Sequence, residues 1–330
     1  MKFKMWRLGA WVLAACAPFA AFAPSTVFAQ AAYPAKPVFV ICPLQAASPS
    51  DIAVRVTVER MGASMGTTFV VENQPGAAGL IGTERAARAA PDGYTLAGLN
   101  NSIMTMLPNL HARVPYDPYK SFEPIVLIAS IPTALVVHPS VPAKTLAELT
   151  ALAKAQPGRL NYSSGGNGSP QHLAMEMYKH MAGVDFTHVP YKGATQAALD
   201  LVSGQVQAAF VSLTLALPHA KAGRLRLIAF AGERRSAMAP ELPTLQEAGV
   251  AGYNYASWTG LYAPAGTPKE IVAKLGAEAM KALAAPELKE QFLKQGLEVW
   301  AGSPQELLRV TREDNARMAS VIKAAGIKAD

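Results

Sequence analysis

Two segments carry residues able to hold an anion without a fixed positive charge beside it. Cys42-Pro43-Leu44-Gln45-Ala46-Ala47-Ser48-Pro49-Ser50-Asp51 and Tyr162-Ser163-Ser164-Gly165-Gly166-Asn167-Gly168-Ser169-Pro170-Gln171 each follow an apolar, strand-like run. Both are small and polar, and both finish in Ser-Pro where a helical pattern begins. The first turn of a helix presents backbone N–H groups with no intrahelical partner and a partial positive charge, so each segment offers amides and hydroxyls to an anion. One such loop on each of two lobes would make a clamp. On the residues alone the same loops read equally well as capped turns that bind nothing. Tyr191-Lys192-Gly193-Ala194-Thr195 precedes a further helical pattern and is likewise either a cleft-facing turn or a plain cap.

Other chemistries lack their residues. Gly166-Asn167-Gly168 has no third glycine for a dinucleotide fingerprint, and neither a Gly-Lys-Ser/Thr phosphate loop nor a nucleophile elbow occurs. His111, His138, His172, His180, His188 and His219 never form His-Glu-x-x-His or a cluster with cysteine, so no metal and no cofactor are expected. A hydrolase needs a nucleophile, a base and an orienting group within reach. The loop serines, Ser164 among them, show no histidine and acid paired with them in the sequence. Cys42, beside a strand, reads as a small buried hydrophobe. Gly76-Ala77-Ala78-Gly79-Leu80-Ile81-Gly82 places small residues at intervals of three, which lets a helix approach its neighbour closely.

For strands to deliver loops to a common edge the chain must alternate strand and helix. Val38-Phe39-Val40-Ile41 is short, β-branched and wholly apolar, as a buried strand is. Further strands are expected at 94–97, 125–128, 134–137, 160–162, 208–211 and 225–230. Helix starts are signalled by Ser48 with Asp51, Thr145 with Glu148, Thr267-Pro268 with Glu270, and Ser303-Pro304 with Glu306. The alternation predicts an α/β fold with mostly parallel sheets. The 330 residues, 51% hydrophobic and 16% charged, are enough for two cores.

Lys2, Lys4 and Arg7, an apolar run from Leu8 to Ala23 and small residues at Val27-Phe28-Ala29 have the layout of a secretory signal peptide over residues 1–29. Leu13-Ala14-Ala15-Cys16 also resembles a lipoprotein cleavage site, an alternative anchor at Cys16. Removal of the leader leaves Cys42 alone, so no internal disulfide is expected. Of 30 basic residues three lie in the leader, and the remaining 27 against 23 acidic ones give about +4. Those charges are scattered, which argues against nucleic acid as a partner. No repeat period or low-complexity stretch appears.

In order along the chain, Val71-Glu72-Asn73-Gln74-Pro75-Gly76-Ala77, Ala90-Pro91-Asp92-Gly93-Tyr94-Thr95-Leu96, Val114-Pro115-Tyr116-Asp117-Pro118, Val137-His138-Pro139-Ser140-Val141-Pro142-Ala143, His188-Val189-Pro190-Tyr191-Lys192-Gly193 and Ala263-Pro264-Ala265-Gly266-Thr267-Pro268 resemble the Bug family. These are the substrate-binding receptors of tripartite tricarboxylate transporters. The segments 161–172 and 324–330 also fit.

The resemblance implies a two-lobed, type II-like periplasmic binding protein, a Venus flytrap with a mixed, mostly parallel sheet in each lobe. Lobe 1 would comprise 30–127 with 258–330, and lobe 2 would comprise 128–257, the chain crossing near 125–135 and 258–264. Carried over by position, Leu44, Gln45, Ala46, Ala47, Ser48 and Ser50 form one jaw. Ser163, Ser164, Gly165, Gly166, Asn167, Gly168 and Ser169 form the other, with Asn100, Asn101, Thr195 and Ser212 nearby. The implied role is to deliver a carboxylated solute to membrane permease subunits as a periplasmic monomer, or to signal to a sensor kinase. Two departures stand out. The family's Gly-Gly pair is replaced by Ala47 and Ser48, and its common acidic residues by Gln207 and Val211, so an amide, a monocarboxylate or an aromatic acid is as plausible a ligand as a dicarboxylate.

Overall fold

The protein was analysed as a computed structural model, which describes residues 33–191 and 193–327. The expected leader, Cys16, Lys192 and the last three residues lie outside the described residues. In chain order the elements are β1 (Val38–Cys42), α1 (Pro49–Met65), β2 (Phe69–Asn73), α2 (Leu80–Ala87), β3 (Thr95–Asn100), α3 (Leu107–Leu110), β4 (Phe122–Ile131) and β5 (Thr133–Val137). Next come α4 (Leu146–Ala155), β6 (Asn161–Ser164), α5 (Pro170–Ala182), β7 (Thr187–Pro190), α6 (Ala194–Val202), β8 (Ala208–Ser212), α7 (Leu213–Lys221) and β9 (Arg226–Phe230). The last five are β10 (Ser257–Pro264), α8 (Lys269–Ala284), α9 (Pro286–Lys294), β11 (Glu298–Gly302) and α10 (Pro304–Ala325).

The strands form two sheets. The first has the order β11-β4-β10-β3-β1-β2 and the second β7-β6-β8-β5-β9. The expectation of mostly parallel strands is corrected. Four pairings are parallel (β1 with β2 and β3, β6 with β7 and β8) and five are antiparallel. The reason lies in the connections. All five antiparallel pairings involve β4, β5 or β10, the strands that lead the chain out of one sheet or back into it, and these run against their neighbours.

Capping fixes where helices begin. Ser48, Thr145, Ser169 and Ser303 each accept the N–H three residues on, and Thr145 with Glu148 completes a capping box. Thr267 departs from its expected role. Its hydroxyl donates to the Pro264 carbonyl at 2.7 Å, and α8 starts at Lys269 with no side-chain cap. α1 stops at Gly66, whose φ of 65° is the left-handed conformation a helix end requires.

The cores are contiguous with this layout. Val38, Val40, Leu96, Ile128 and Leu261 pack beneath α1 and α8, while Leu135, Tyr162, Phe210 and Tyr253 anchor the second sheet. α10 joins both. Its Leu307 and Val310 pack with Trp258 and Tyr262 of β10, and its Met318, Val321 and Ile322 pack in the core of the second sheet. At 22 residues the helix is about 33 Å long, enough to reach both. Asp314, between the two clusters, accepts the Trp258 indole N–H at 2.6 Å and an Arg317 N–H at 3.1 Å.

Candidate ligand-binding cavity

The first Ser-Pro loop is held by a compact polar knot. Asp51, buried at the third position of α1, accepts the Ala47 N–H at 2.9 Å, Asn73 Nδ2 at 2.8 Å and Arg55 at 2.9 Å. Burial pushes its carboxyl upward, and these hydrogen bonds outweigh that, leaving it below the usual range and ionised. The expected reciprocal capping at Ser48 and Asp51 is thus half displaced, because the carboxylate takes the Ala47 amide and the Asp51 N–H goes to Ser48 Oγ at 3.3 Å. The positive end of α1 therefore already has an acid beside it, neutralised by Arg55.

Ala47 adopts a φ of 60°. The loop keeps a left-handed turn at a position where a side chain is strained, so an alanine there costs conformational energy, and the Ala47 amide is fixed on Asp51. Ala47→Gly is expected to raise stability by roughly 0.5–1 kcal/mol, about 2 °C in the thermal midpoint. An unchanged or lower midpoint would show that no strain is stored there.

The second loop largely closes on itself. Gly166 N–H donates to Ser164 Oγ at 3.2 Å, Gly168 N–H to His172 Nδ1 at 3.0 Å, and His172 N–H to Ser169 Oγ at 3.3 Å. Gly168 has a φ of 67° and lies so near Leu110 of α3 that a Cβ would come within 2.6 Å of its Cδ1. Ser163 donates to the Ala197 carbonyl at 3.0 Å. Ser164 Oγ is 2.6 Å from His188 Nε2, and the His188 ring stacks against both Tyr162 and His172 at centroid distances of 4.8 and 4.0 Å. A serine with a paired histidine therefore does exist. The sequence hid it because the partner is 24 residues away on β7, brought alongside by the parallel register Tyr162 to His188. Ser164 is fully buried, so its hydroxyl is closed to a substrate.

A cavity of about 240 Å³ opens beyond the strand ends. Among the expected residues Leu44, Ser48, Ser50, Asn100, Ser163, Thr195 and Ser212 line it. Gln45, Ala46, Ala47, Asn101, Ser164, Gly165, Gly166, Asn167, Gly168 and Ser169 do not. Asn101 sits just behind, its Oδ1 accepting from Ser257 Oγ at 3.3 Å. The first turns of α1, α5, α6 and α7 all reach the wall, through Ser50, Gln171, Thr195 and Leu215. Ser48 and Ser169 cap the first two, whereas Gly193 and Ser212 make no side-chain cap for α6 and α7.

The remaining wall was missed by the sequence reading. Ala194, Ala197 and Ala198 come from α6, Ala209 and Val211 from β8, and Ile131 and Tyr255 from the segments joining the sheets. The one signal for α6 was its small residues at i, i+3 and i+4, a stripe that equally marks close packing. The Tyr255 hydroxyl is buried and meets no hydrogen-bond partner among the described residues. Desolvation pushes its ionisation far upward, with the nearby Asn101 side chain offsetting this only in part. No Asp, Glu, Lys, Arg or His lines the cavity among the described residues, nor does any cluster of three metal-ligating side chains occur among them.

Residues 53–327 match the family described as the tripartite tricarboxylate transporter family receptor. The protein BugT of Bordetella pertussis is 31% identical over 297 residues, covering 90% of this chain and 91% of BugT. A solved periplasmic transporter is 37% identical, covers 91% of this chain and all of its own, and superposes with a TM-score of 0.79. Rpa4515 of R. palustris, solved with adipate, is 33% identical with a TM-score of 0.79, over 90% of this chain and 99% of its own.

Proposed function

The chain belongs to the tripartite tricarboxylate transporter receptor family, and from that premise we propose that it is an exported, periplasmic, monomeric receptor that hands a small carboxylated solute to membrane permease subunits. The observation that carries this reading is the cavity, uncharged along its described wall and reached by the first turns of four helices, of which α6 and α7 carry no side-chain cap and so offer N–H groups that suit an anion. The relative solved with adipate supports a carboxylate. Lobes of 30–127 with 258–330 and of 128–257 would close over the solute, with α10 spanning them. Leu44, Ser48, Ser50, Asn100, Thr195 and Ser212 would touch it, with the fully buried Ser163 holding α6 from behind through the Ala197 carbonyl. The other loop residues, from Gln45 to Ala47 and from Ser164 to Ser169, would hold the backbone in place. Export would depend on residues 1–29. No helix among the described residues is long and apolar enough to cross a membrane.

Binding rather than turnover suits the buried Ser164, which no substrate can reach. Deletion of the gene should lower uptake of the radiolabelled solute to background while the transporter genes remain inducible. Normal uptake with induction lost would instead make the protein a sensor acting on a membrane kinase.

A further inference from the structure

The receptor reading leaves the solute's class open, and this inference rests on that reading. We infer that the solute carries a single carboxylate on a compact aromatic or branched alkyl body, unlike the two-headed adipate held by the R. palustris relative. The wall contributed by α6, α7, β8 and the crossing segments carries the aliphatic side chains of Ala197, Ala198, Leu215, Ala209, Val211 and Ile131, with only the neutral hydroxyls of Thr195, Ser212, Thr133 and Ser257 among them. No cation lines it among the described residues. One carboxylate can be met by hydroxyls and by the first-turn amides of α6 and α7, which carry no side-chain cap. A second carboxylate would give up its hydration against methyl groups with nothing of opposite charge to pair with. Size agrees. A dry cavity of about 150 Å³ takes up benzene, and about 240 Å³ holds a ring and one acid group.

Calorimetric titration of the purified, dialysed protein with benzoate, 4-methylpentanoate, benzamide, adipate and malate tests this. Benzoate or 4-methylpentanoate should bind at least about 30-fold tighter than adipate, malate or benzamide. Adipate or malate binding as tightly as either would overturn the inference and leave the receptor reading intact. Benzamide equal to benzoate would overturn the carboxylate head. No binding of any of the five would count against both readings. Leu215, on the wall yet 38% exposed, tolerates a charge. Leu215→Arg should move the affinity ratio about tenfold towards adipate, and an unmoved ratio would mean that the apolar wall does not set the selectivity.

Discussion

Ala194→Trp is expected to remove ligand binding while leaving the free protein as stable as before. Ala194 lines the cavity at the first position of α6 and is exposed on its helix, so the new ring enters open space and displaces no core atom. An indole is larger than the benzene that a cavity of about 150 Å³ accepts, and it would take up most of the 240 Å³. A surface substitution of this kind changes stability by about 0.5 kcal/mol or less. The wild-type protein at ~100 times its dissociation constant gains roughly 2.7 kcal/mol, a midpoint rise of about 5 °C. In the variant that rise should vanish for benzoate and for every other acid tried. A full ligand-induced shift would place the solute elsewhere.

Trp258→Phe should cost about 3–5 kcal/mol, a large part of the roughly 5–15 kcal/mol by which a domain is stable. Trp258 is fully buried on β10, and its indole N–H is a donor to Asp314. The substitution opens a gap and also leaves a buried carboxylate with one partner fewer. Desolvation pushes the Asp314 carboxyl up to about 6, against a pull downward from Trp258 and Arg317. A folded value above the unfolded one means that the folded state binds the proton more tightly. This group's penalty is therefore absent below about pH 4, grows as the pH rises through about 6, and reaches about 3 kcal/mol at neutrality. Without the indole the folded value rises further. Urea midpoints between pH 5 and 8 should fall more steeply in Trp258→Phe than in wild type, while Asp314→Asn should flatten the same interval. Parallel profiles in all three proteins would rule out Asp314 as the cause.

The sequence disclosed what depends on neighbours along the chain. Strands such as Val38–Cys42 and caps such as Ser48, Thr145 and Ser303 are local events, written in β-branched runs and in a hydroxyl three residues ahead of an amide. What it concealed is set by pairing across the fold. The second loop has the composition of an anion cradle, yet its tail turns to His172 and His188, and His188 reaches Ser164 only through strand register. The cavity wall is similarly nonlocal. Ala197, Val211 and Tyr255 belong to three segments whose spacing carries no periodic signal. Thr267 misled because a Thr-Pro pair fits a cap by type, while here the hydroxyl is committed to the Pro264 carbonyl behind it.

The position of α10 bears on the order in which the polypeptide is made. Two of the hydrophobic clusters take side chains from residues 304–325: Leu307 and Val310 join the one around Trp258, and Met318, Val321 and Ile322 join the one of the second sheet. A nascent chain emerging from the ribosome thus leaves those two clusters incomplete for its first 300 or so residues, until the last helix arrives. For the exported receptor proposed above that delay would be an advantage, because translocation through a narrow channel requires a polypeptide that has not yet folded.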